Sequence, residues 1–123
     1  MYRLIHENNV IGVSALESGD PAIGSASGDL GESGTSEGLS QWILSKGGVE
    51  EDGVFLLEIG KAFLVVSGDQ TPVPFSGGSI ICVPADDEVF LELTGIPAPE
   101  YVHFFPRHVK AFQQSLSATG YND

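Results

Sequence analysis

Short apolar runs separated by glycine, proline and acidic residues fill the second half of this chain. Residues 88–93 alternate strictly, with valine and leucine on one face of a strand and glutamate and phenylalanine on the other. The runs 54–59 and 62–67 are apolar on both faces, which is typical of strands that are covered on both sides. Because Gly60 lies between these runs, we predict a hairpin with Gly60 at the positive-φ corner of a type II′ turn.

The first part of the chain has a different pattern. Two β-prone segments flank Glu7-Asn8-Asn9, and asparagine tolerates the positive φ of hairpin turns. Residues 1–16 are therefore predicted to form an N-terminal hairpin. Residues 17–38 are rich in glycine, serine and acidic residues and contain no lysine or arginine, so we predict a long surface loop.

The remaining pattern predicts a β-barrel or sandwich over residues 39–105, in which residues 39–44 and 100–105 are strands. Pro106 fits the first turn of a helix, and apolar residues recur at positions 109, 112 and 116. These features predict an amphipathic helix over residues 106–117. The expected fold is all-β, a single domain with one short C-terminal helix.

Charge narrows the classes of partner. The chain has 17 acidic and 5 basic residues, for a net charge of −12. Such a chain repels nucleic-acid phosphates and anionic membrane surfaces, so neither is an expected partner. No apolar run is long enough to span a bilayer and the N terminus lacks a signal-peptide pattern, so we expect a cytoplasmic protein. Cys82 lies in the apolar run SIICV and is predicted to be a buried, inert thiol.

The glycine and proline positions of residues 38–105 resemble those of the small single-domain cupins, especially the ethanolamine-utilisation and ureidoglycine-type cupins. Gly60 ends the run VFLLEIG where cupins carry a glycine turn, and Pro84 follows Gly78 by six residues, as in the second cupin motif. Trp42, ahead of a Gly-Gly turn, is also similar to that branch. The resemblance implies a jelly-roll barrel that binds a small metabolite.

The metal ligands of the cupins are missing from the matching positions. The family places two histidines and a glutamate before the glycine turn and a third histidine after the proline. The matching residues here are Gly47, Val49, Gly53 and Val89. None of these side chains offers an imidazole or carboxylate lone pair to a metal ion. We therefore expect a metal-free barrel without a cofactor.

Tyr101 and His103 are the candidates for chemistry. If residues 100–105 form a strand, both side chains lie on one face, where a phenol and an imidazole could donate and accept a proton. Together with Trp42 they are the predicted ligand-binding residues. His6 and His108 are expected at the surface.

Three functions remain open from the sequence. The leading one is a metal-free, cupin-like barrel that binds a small metabolite or serves as a non-catalytic scaffold. The second is a metal-independent isomerase or lyase that uses Tyr101 and His103. The third is an acidic protein-interaction module. A homodimer is also predicted, because residues 54–66 are apolar on both faces and a lone barrel would expose one of them.

Overall fold

The computed structural model describes residues 1–32 and 35–118. Within these residues the chain forms two antiparallel sheets and three α-helices. The strands are β1 (Tyr2–His6), β2 (Asn9–Ser14), β3 (Ser18–Asp20), β4 (Ser25–Asp29), β5 (Gly31–Glu32), β6 (Val49–Glu51), β7 (Val54–Ile59), β8 (Phe63–Val66), β9 (Gly77–Val83) and β10 (Glu88–Thr94). The helices are α1 (Ser36–Ser45), α2 (Ala98–Phe104) and α3 (Pro106–Ala118). The predicted β-rich fold is confirmed at this level, but three helices take the place of the one expected.

The two sheets share one hydrophobic core. The four-stranded sheet has the order β5-β2-β1-β8, and the six-stranded sheet has the order β3-β4-β10-β9-β7-β6. Leu4 and Val65 of the smaller sheet belong to the same buried cluster as Leu57, Ile80 and Leu91 of the larger one. The inner faces of the sheets therefore pack against each other. No helix in the described part of the chain is long and apolar enough to cross a membrane.

Several predicted elements are confirmed. Strands β1 and β2 form the N-terminal hairpin, and Glu7 and Asn8 have φ values of 50° and 66° at its turn. Two positive φ values are what a type I′ turn requires. Cys82 is buried, and helix α3 begins at Pro106 as predicted. The side chain of Leu116 lies outside the described residues.

The predicted hairpin at Gly60 is wrong. Strand β7 pairs with β6 and β9, whereas β8 pairs with β1 in the other sheet, so the chain crosses between sheets at Gly60. Gly60 does not have a positive φ; its carbonyl oxygen accepts a hydrogen bond from the Phe63 amide at 2.9 Å. The two apolar runs therefore belong to different sheets, and each buries one face in the core that the sheets share.

Residues 39–44 and 100–105 are helical, and the predicted strands there are wrong. Helix α1 begins at the N-cap Thr35, whose hydroxyl oxygen accepts a hydrogen bond from the Gly38 amide at 2.9 Å. Leu39 and Ile43, one turn apart, are its buried apolar residues. Helix α2 follows Pro97 and carries a proline in its first turn, which fixes a helical φ there.

The predicted loop over residues 17–38 holds three strands and the start of α1. Strand β4 lies inside the six-stranded sheet, between β3 and β10. Ala26 is fully buried, and a side chain at Gly28 would overlap the Glu17 carboxylate. Small residues are needed here because other groups pack directly onto the backbone, so this strand has little apolar signal in the sequence.

Candidate functional site

Tyr101 and His103 lie on helix α2 and point in different directions. Two residues along a helix correspond to a rotation of about 200°, so the pair does not share a face. The side chain of Tyr101 is only 1% exposed, and its hydroxyl donates a hydrogen bond to the Ser25 carbonyl at 2.7 Å. His103 is exposed and has its ring edge-on to Phe104. The predicted acid–base pair is therefore not formed, because the segment is a helix.

Trp42 belongs to a separate aromatic cluster. From helix α1 its ring meets His6 edge-on, at a centroid distance of 5.6 Å, and Phe63 at 6.3 Å. Tyr101 instead contacts the rings of Phe105 and His108. The predicted ligand-binding residues therefore fall in two clusters and on one exposed position. His6 and His108, which were expected at the surface, are both half-buried.

A cleft of about 550 Å³ opens between the α2–α3 corner and the segment that joins β2 to β3. Its lining residues include aromatic rings and one charged group of each sign: Tyr2, Glu17, Phe104, Phe105, Arg107 and His108. A neighbouring cleft of about 440 Å³ shares Glu17 and His108 with the first and adds Asp20. The imidazole of His108 therefore lies at the boundary of the two clefts. Volumes in this range are typical of sites for small molecules.

His108 is held in place by two contacts. Its Nε2 lies 2.7 Å from the Leu16 carbonyl oxygen, and its ring stacks on Phe105 with a centroid distance of 5.1 Å and an interplanar angle of 4°. Because a carbonyl oxygen only accepts, we assign the hydrogen of this bond to Nε2. In the neutral ring Nδ1 then keeps its lone pair and can accept a hydrogen bond.

Leu16 forms one wall of the cleft in a strained backbone conformation. Its φ is +46°, in the left-handed region that disfavours a residue with a side chain. Such a conformation costs about 1–3 kcal/mol and persists only where the surroundings enforce it. The Leu16 amide donates to the Ser14 hydroxyl oxygen at 3.1 Å, and its carbonyl accepts from His108. These two bonds orient the wall of the cleft.

Tyr101 packs against His108 and strand β3 next to this site. A side chain at Gly19 would overlap the Tyr101 hydroxyl and lie 2.7 Å from His108 Cδ2, so strand β3 approaches both rings closely. Burial, and then the Asp20 carboxylate, raise the pKa of Tyr101 to about 12. The phenol therefore stays protonated near neutral pH. It positions the neighbouring elements and is a poor proton donor.

The positions that match cupin metal ligands do not fit a metal. Gly47 and Gly53 occupy turns with φ of +92° and +82°, and Val89 is buried in the core. Over residues 1–32 and 35–118 no group of three or more His, Cys, Asp or Glu residues could hold a metal ion. The absence of a metal remains a prediction that elemental analysis can test.

The sequence carries a signal for the helical part of this site. Tyr101 and Phe105 are four residues apart, about one helical turn, and His108 follows three residues later in the first turn of the next helix. The prolines at positions 99 and 106 fit the first turns of two consecutive helices. Leu16 has no comparable signal, because its strain depends on contacts with residues distant in the sequence.

No family model, curated protein or solved structure matches this chain. The resemblance to cupins therefore rests on the positions of glycine, proline and Trp42 in the sequence.

Proposed function

We propose that this protein binds a small, largely apolar molecule in the cleft beside His108. The observation that carries this proposal is a cleft of about 550 Å³ lined by the rings of Tyr2, Phe104, Phe105 and His108. Small-molecule sites are mostly apolar and aromatic, with a few placed polar groups that fix orientation. Here those groups are the His108 imidazole and the charged side chains at the mouth of the cleft.

Binding is favoured over catalysis. The isomerase or lyase hypothesis requires an acid and a base that reach one ligand, but Tyr101 is buried and hydrogen-bonded while His103 is exposed. The raised pKa of Tyr101 also makes its phenol a weaker acid than an unperturbed tyrosine. A binding protein needs neither group at the ligand.

We also propose that the sheets form a cupin-like jelly roll. Two antiparallel sheets with a common core and a chain that crosses between them at Gly60 support this proposal. Jelly rolls are double-sheet structures in which the chain alternates between the sheets.

The charges of the neighbouring cleft and of the whole chain favour a ligand with an amino group. Glu17 borders both clefts and Asp20 the second, whereas Arg107 is the basic residue of the first. The chain carries a net charge of −12, which draws cations toward it. Aromatic ring faces also attract ammonium groups. The ligand is therefore proposed to be a small apolar amine.

Three probes of similar size test this proposal: 2-phenylethylamine, 2-phenylethanol and phenylacetate. We expect calorimetry or ligand-observed NMR to rank the amine first and the carboxylate last. Glu17→Gln should weaken amine binding about two- to fivefold, the range of an exposed charge pair, and leave the alcohol unchanged. Glu58→Gln, on the outer face of the six-stranded sheet and away from the cleft, is the matched control. Failure of all three probes to bind at millimolar concentration, or an equal effect of the control variant, would contradict the proposal.

A further inference from the structure

The outer face of the six-stranded sheet carries a continuous row of apolar side chains. The register pairs Val49 with Leu56, Leu56 with Ile81, and Ile81 with Phe90. We call these four residues the apolar row. Val49 is 60% exposed and Phe90 is 39% exposed, so the row is open to solvent at both ends. With strands about 4.8 Å apart, the row is roughly 15 Å long.

Carboxylates flank the apolar row on two sides, interspersed with Val54, Val83 and Ser79. The carboxylates are exposed and lie on the strands or turns of this sheet: Asp29, Glu51, Asp52, Glu58, Glu88 and Glu92. The positions two residues from the row along each strand are about 7 Å away, so acidic groups flank it on both sides. None of the chain's lysine or arginine residues lies on a strand of this sheet; Lys46 lies beside its edge, next to Val49.

A second copy of the chain is a poor match for this face. Two copies packed through the same row would bring like-charged rims together, which is unfavourable. The outer face of the four-stranded sheet also has exposed apolar residues, including Val10 and Leu64. Arg3 is the one lysine or arginine on its strands, and its guanidinium is hydrogen-bonded to Gln70. If one copy packed its apolar row on the four-stranded sheet of another, the carboxylates around the row would meet one cation, Arg3, which is already hydrogen-bonded.

We propose that this face binds a basic protein segment, an amphipathic helix with an apolar stripe flanked by lysine or arginine on both sides. Cations on both flanks of an apolar stripe complement carboxylates on both sides of an apolar row. A strand would place its charged and apolar side chains on opposite faces instead. A helix of about ten residues matches the length of the row. This surface is separate from the cleft and does not depend on the ligand proposed there.

The test uses a 14-residue leucine–lysine peptide with helical period as the probe, and the full chain. The first control peptide has the same composition, but leucine and lysine alternate strictly as in a strand. The second keeps the helical period and has glutamate in place of lysine. We expect the helical cationic peptide to bind most tightly, with affinity that falls as salt is raised. Phe90→Thr and Val49→Thr should each weaken binding of the helical cationic peptide, and Phe90→Thr should do so by about tenfold. Leu64→Thr, on the other sheet, is the matched control and should leave it unchanged.

Each alternative has its own outcome. If the helical peptide binds wild type, Phe90→Thr and Val49→Thr equally, the attraction is due to net charge alone and the proposal is overturned. The same conclusion holds if the wild-type protein binds both cationic peptides equally. No binding of the helical peptide overturns it as well. Self-association without peptide that Phe90→Thr abolishes, measured by sedimentation, assigns the face to the predicted homodimer instead. Unchanged circular dichroism of Val49→Thr, at an exposed edge position, ensures that a loss of binding is not a loss of fold.

Discussion

Neighbouring residues on strand β10 face opposite environments. Leu91 is 1% exposed and packs in the core between the sheets, whereas Phe90 is 39% exposed on the outer face. The register places Leu91 opposite Ile80 on one face and Phe90 opposite Ile81 on the other. Both faces are apolar at this point, but one is filled by the second sheet and the other is bordered by carboxylates.

The inner face of β10 stabilises the fold, whereas the outer face leaves apolar surface exposed to solvent. Burial on the inner face contributes stability in proportion to the apolar area removed from water. The outer face leaves 39% of Phe90 in water in the isolated chain, and this exposed apolar surface is available for binding. Helix α2 repeats the contrast, with Tyr101 turned inward and His103 turned outward.

The largest expected effect comes from the inner side of β10. Leu91→Ala removes a fully buried side chain and leaves a cavity, so the free energy of unfolding should fall by about 2–5 kcal/mol. Phe90→Ala should lower it by about 1–2 kcal/mol, because part of the ring is already in water and its loss leaves no enclosed cavity. Urea denaturation of both variants measures the difference. Similar losses would mean that the outer face is covered in solution.

Two glycines provide the next contrast. A side chain at Gly78 would overlap the Glu92 carbonyl oxygen on the paired strand, whereas one at Gly60 meets no atom within 4 Å. Gly78→Val should therefore cost about 1–3 kcal/mol, the range of overpacked sites. Gly60→Val should change stability by less than about 0.5 kcal/mol. Thermal melting compares them directly, and a larger effect at Gly60 would contradict the crossing between sheets.

The same contrast explains what could be predicted from the sequence. Residues 88–93 were predicted correctly because one buried and one exposed face produce a strict alternation. The first hairpin was predicted because Asn8 favours the required φ, and α3 because Pro106 and the helical spacing agree. In each case a local pattern and the tertiary environment point to the same structure.

The errors arose where the environment overrides the local pattern. The segment EYVHFF is rich in β-prone residues, yet it forms helix α2 because Tyr101 and Phe105, one turn apart, are both buried in the core. Residues 39–44 are helical for the same reason, since Leu39 and Ile43 are one turn apart and buried, and Thr35 is a recognisable N-cap. The cleft was missed because it depends on contacts between His108 and Leu16, which are 92 positions apart.

A smaller effect is expected at Tyr101. Tyr101→Phe removes the hydrogen bond to the Ser25 carbonyl, which is 2.7 Å long, and should lower the free energy of unfolding by about 0.5–1.5 kcal/mol. The cleft should keep its shape because the ring remains. Urea denaturation near neutral pH measures the loss, and no loss would show that water replaces the hydroxyl.

The loss should also depend on pH in the alkaline range. The pKa of Tyr101 is about 12 in the folded protein, compared with about 10 for an unfolded tyrosine. Above about pH 10 the unfolded phenol loses its proton while the folded one keeps it, so wild-type stability falls as the pH rises toward 12. Tyr101→Phe lacks this contribution and should lose less stability over the same interval. Parallel pH profiles for the two proteins would contradict the raised pKa.

The smallest effect is expected at His103, which lies on the outward side of helix α2. The ring is exposed, and its neighbouring aromatic contact is the edge-on packing with Phe104. His103→Ala should change the free energy of unfolding by less than about 0.5 kcal/mol and leave binding of 2-phenylethylamine unchanged. His108→Ala is the matched variant on the same segment, because it removes the bond to Leu16 and the stack on Phe105. It should lower both stability and amine affinity. If His103→Ala weakened amine binding and His108→Ala did not, the ligand would bind on the outward side of α2, and the cleft beside His108 would not be the site.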